Sequence, residues 1–61
     1  MSDHYRFLLM ALPLAEIESA ARKAEELLES TEPSAPYYEE VAELARIASE
    51  VAEEKRRAAN G

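Results

Sequence analysis

The chain has 61 residues and no cysteine, so it forms at most one domain and cannot be stapled by a disulfide. Its 13 acidic and 7 basic residues leave a net charge of −6, which disfavours nucleic acid and anionic membrane as partners. A domain this small needs very regular helices or a partner to offset an ordering cost of roughly 1.5 kcal/mol per residue. Gly occurs once, at the C-terminus, and Ala, Glu and Leu dominate. These are strong helix formers, and the fold class they imply is all-α.

The first helix is expected over about residues 3–30. Ser2 and Asp3 can start it, the one by capping free N–H groups and the other by complementing the positive helix end. Phe7, Met10, Leu14, Ile17, Ala21, Ala24 and Leu28 then recur at alternating spacings of three and four, the mark of a helix packed nearly parallel to a neighbour. The repeat passes through Pro13, which cannot donate to Leu9 and disfavours helical geometry at Leu12. Two readings are open there: one helix kinked at Pro13, or a break that makes a three-helix bundle. The unbroken register and the lack of Gly, Asn, Asp or Ser between Tyr5 and Leu14 favour the kink.

Residues 30–36, Ser-Thr-Glu-Pro-Ser-Ala-Pro, form the clear loop, with Ser34 placed to cap a second helix over about residues 35–59. That helix repeats Tyr37, Val41, Leu44, Ala48, Val51, Lys55 and Ala58. It carries Glu39 and Glu40 at its positive end and Lys55, Arg56 and Arg57 at its negative end. Asn60-Gly61 can close it. Glu18–Arg22, Glu43–Arg46 and Glu53–Arg57 are spaced as ion pairs along the solvent faces. The simplest architecture is a helical hairpin whose first helix is kinked.

Between Tyr5 and Leu14 only Arg6 is charged. The run is too short to cross a membrane, and no small-residue cleavage site follows it, so it reads as part of a soluble fold. If Phe7, Met10 and Leu14 face the second helix, with Leu9 beside them, then Tyr5, Leu8 and Leu12 point away. The expected interface is therefore Tyr5, Leu8, Leu9 and Leu12, and its expected partner is another copy of the chain. The alternative is the groove of a different protein. Tyr38, Ala45, Ala52 and Ala59 form a second, small-residue stripe on the second helix.

Chemistry is expected to be absent. His4, the only histidine, has no potential ligand three or four residues along, and an exposed first-turn residue is the simpler reading than a metal or haem ligand. No Glu-x-x-His, nucleophile set or glycine-rich phosphate loop occurs, and Tyr37-Tyr38 reads as the end of a core. No catalytic residue, metal or cofactor is therefore expected. Taken whole, the regular segments Ala20–Ser30 and Ser34–Ala45, the charge-laced faces and the absence of Cys and Trp resemble computationally designed helical mini-proteins. That resemblance implies a regular helical fold and assigns no functional residue.

Overall fold

The computed structural model describes residues 2–60. Three helices follow in order: α1 Ser2–Met10, α2 Leu14–Ser30 and α3 Tyr38–Asn60. The expected capping by the Ser2 side chain and by Gly61 lies outside the described residues.

The first 30 residues do not form one kinked helix. The helical ladder stops at Met10, where Ala11 and Leu12 donate to the carbonyls three residues back, Leu8 and Leu9. Pro13 is extended, with φ −61° and ψ 151°, and its carbonyl accepts from Glu16 and Ile17 to open α2. Proline suits this place because it supplies no N–H and holds Leu12 out of the helical region.

At the far end of α2, Thr31 is buried and closes the helix twice. Its N–H donates to the Leu28 carbonyl, and its Oγ1 donates to the Leu27 carbonyl at 2.6 Å. The loop then makes two successive turns, closed by Ala35 N–H to the Glu32 carbonyl and Tyr38 N–H to the Ala35 carbonyl. Each has a proline, Pro33 or Pro36, at its second position, where a φ near −65° is required. Ser34 belongs to the first turn, so α3 begins three residues after the expected start.

Helices α2 and α3 are antiparallel. Glu18 meets Arg56, and Glu25 accepts a hydrogen bond from Ser49. The same register would carry a continuous first helix past the end of α3. Instead α1 folds back and runs in the direction of α3: Arg6 reaches Glu50 and Glu54, and the chain at Met10 and Leu12 has advanced to Lys55. One buried cluster joins all three helices: Leu9, Ile17, Ala21, Ile47, Ala48, Val51 and Ala52, with Tyr5, Leu12 and Ala20 packed against it. The alanines allow close helix approach, while Ile17 and Val51 fill the centre at 0 % exposure.

Truncation should separate centre from surface. Ile17→Ala is expected to cost about 2–4 kcal/mol in denaturant unfolding, while Leu27→Ala at its half-exposed site costs under about 1 kcal/mol. Equal losses would contradict this core assignment.

Candidate interaction surface

The break at Met10–Pro13 leaves carbonyls that no helix can satisfy. Lys55 supplies the missing donor. Its Nζ donates to the Met10 carbonyl at 2.8 Å and to the Leu12 carbonyl at 2.6 Å. The ammonium thus sits at the negative end of α1, where charge and hydrogen bonding act together. Its alkyl stem lies along α3, one turn beyond Val51, so an otherwise apolar repeat position carries a charged tip. A second tie comes from Arg6, which reaches Glu54 at 2.6 Å and Glu50 at 3.5 Å. These carboxylates are about half exposed, so the pair fixes orientation more than it adds stability.

This attachment sets which face of α1 looks outward. Tyr5, Leu9 and Leu12, spaced by four and three, turn to the core: Leu9 is buried, and the other two are half-buried against the cluster. Phe7, Leu8 and Met10 are exposed, at 72 %, 51 % and 45 %. The expected orientation is therefore nearly reversed. Of Tyr5, Leu8, Leu9 and Leu12, only Leu8 stands on the outer face, and Phe7 and Met10 leave the seam assigned to them. The physical reason is the break. A continuous helix must keep one register across Pro13, whereas a separate α1 can rotate to place Tyr5 and Leu9 inward, with Leu12 of the following turn beside them.

The second helix shows a related correction. Tyr37 and Leu44 are exposed, while Ile47, outside the expected repeat, is 3 % exposed. Ala45 and Ala52, read as an extra stripe, are buried within the chain, and Ala52 belongs to its core. Ile47, Val51 and Glu54 share one helix stripe, and the Arg6–Glu54 ion pair shows that this stripe faces α1.

Two of the three expected ion pairs form, Glu43–Arg46 at 3.8 Å and Glu53–Arg57 at 2.7 Å. Glu18, spaced for Arg22, instead receives two N–H groups of Arg56, at 2.6 and 3.1 Å, across the α2–α3 junction. The groove on that side is lined by Glu18, Arg22, Glu25, Ser49, Glu53 and Arg56, side chains largely occupied with one another. His4 is exposed, and among the described residues no group of three His, Cys, Asp or Glu could hold a metal ion. Among the described residues, no helix is long and apolar enough to cross a membrane. Comparison of the chain with models of protein families, with characterised proteins and with solved structures finds no match.

Lys55→Met keeps the stem and removes the donor. It is expected to lower unfolding free energy by about 1–2 kcal/mol in a denaturant titration, the scale of charge-assisted hydrogen bonds at a partly solvated site. An unchanged midpoint would show that the carbonyls of the break do not depend on Lys55.

Proposed function

We propose that this chain is a non-catalytic self-associating module whose contact surface is the outer face of α1. The observation that carries the reading is the exposure of Phe7 at 72 %, flanked on one side by Met10 and on the other by Leu8. Covering a Phe or Leu side chain is worth roughly 1.5–3 kcal/mol, and three such groups together supply a driving force on the scale of association. A chain of 61 residues has little surplus stability, so an uncovered apolar cluster is costly to carry without use.

Charge favours a second copy as the partner. Residues 2–14 contain one acid, Asp3, and one base, Arg6, so the acidic excess belongs to the rest of the chain. Two copies meeting through α1 bring their least charged segments together, whereas contact through the acidic surfaces of α2 and α3 would oppose like charges.

Sedimentation equilibrium at micromolar concentration tests the proposal. The wild-type chain is expected to exceed its 6.8 kDa monomer mass, and Phe7→Glu/Leu8→Glu is expected to return to that mass with its helicity retained. A wild-type chain that remains at monomer mass across the concentration range refutes self-association.

A further inference from the structure

Met10, the last residue of α1, is held by its backbone and open at its side chain. Its carbonyl accepts the Lys55 ammonium at 2.8 Å, which anchors the chain there to α3. Its side chain belongs to the exposed face of α1, at 45 % beside Phe7 at 72 % and Leu8 at 51 %. Phe7 precedes it by three residues, so ring and thioether are neighbours on the helix surface. The chain has no cysteine and one other methionine, Met1. Among the described residues, the Met10 thioether is therefore the sole sulfur.

A thioether is an apolar group that mild chemistry makes polar. With hydrogen peroxide, a sulfur lone pair attacks one peroxide oxygen, the O–O bond breaks, an S–O bond forms and water leaves. Sulfur is oxidised by two electrons and peroxide is reduced by two. The product is a sulfoxide, a polar hydrogen-bond acceptor in place of a weak one. In the free chain that oxygen is solvated. Inside an apolar contact it is buried, and the side chains of Phe7, Leu8 and Ala11 offer it no donor. Arg6 of the same helix is engaged by Glu50 and Glu54.

We infer that Met10 is an oxidation site that controls association: as a thioether it admits the outer face of α1 to contact with a second copy, and as a sulfoxide it opposes that contact. The inference rests on the self-association proposed above and assigns its regulation. Two features confine the effect to the contact. The Met10 side chain lies outside the buried cluster of Leu9, Ile17, Ile47 and Val51, so the core keeps its packing. The bond from Lys55 uses the Met10 carbonyl, which the oxidant does not touch. Two-fold symmetry doubles the penalty, because each copy brings one Met10 to the contact. The coupling also runs the other way. The sulfur is open to peroxide in the single chain and covered in the assembly, so association protects it.

Peroxide treatment followed by sedimentation equilibrium tests this, with oxidation at Met10 located by peptide mass spectrometry. The oxidised chain is expected to keep its helicity in circular dichroism and to associate roughly tenfold or more weakly. Met10→Leu, which leaves Met1 as the only thioether, is expected to associate like wild type before and after peroxide. The rate of Met10 oxidation is expected to fall as the chain is concentrated through its association range. Oxidised wild type that associates as tightly as before overturns the inference and leaves self-association standing. Dissociation of Met10→Leu by peroxide overturns it too, as does unfolding of the oxidised wild type, since the sulfur then acts elsewhere than on this face. A wild-type chain that is monomeric before oxidation overturns the underlying self-association as well.

Discussion

Lys55 holds together a chain path that the backbone alone would not keep. Proline ends one helix and opens the next, and the reversal between them leaves the Met10 and Leu12 carbonyls facing α3. An ammonium on a four-carbon stem can meet both while its stem stays on the apolar side of its own helix. With that donor in place the fold-back is satisfied, Leu9 enters the core beside Ile47 and Val51, and the opposite face of α1 turns to solvent. Core, topology and candidate surface all follow from one capped break.

The remaining contacts divide by what they contribute. Ala21, Ala45, Ala48 and Ala52 let α2 and α3 approach closely, and Ile17 with Val51 supplies the volume between them. Arg6–Glu54 and Glu18–Arg56 lie at the margins and are partly exposed, so they set register more than they add free energy. Such a small core has little in reserve. That economy gives the uncovered Phe7–Leu8–Met10 cluster its weight in the proposed assembly.

Much of the fold was legible in sequence. The all-α class, the loop at its two prolines and the core positions Ile17, Ala21, Val41, Ala48 and Val51 follow from spacing and turn chemistry. What did not follow was the rotation of α1. A seven-residue repeat running through Pro13 is equally compatible with one helix or with two that merely keep step. Sequence spacing carries no information on whether a helix folds back. The deciding residue, Lys55, stood in the apolar repeat of the second helix and read as an irregularity, when its tip is the cap for a break 43 residues away. Ile47 was missed for a linked reason, since its stripe acquires a partner only once α1 lies beside α3. The expectation that α1 has one inward and one outward face was sound in form, and the assignment of residues to those faces was not.

The fold-back itself is most directly tested by nuclear Overhauser contacts in isotope-labelled protein. Cross-peaks linking Tyr5 and Leu9 to Ile47 and Val51, with helical connectivities interrupted between Met10 and Leu14, are the predicted result. Uninterrupted helical connectivities from Tyr5 through Ile17, without cross-peaks from Leu9 to Ile47 or Val51, would contradict the account.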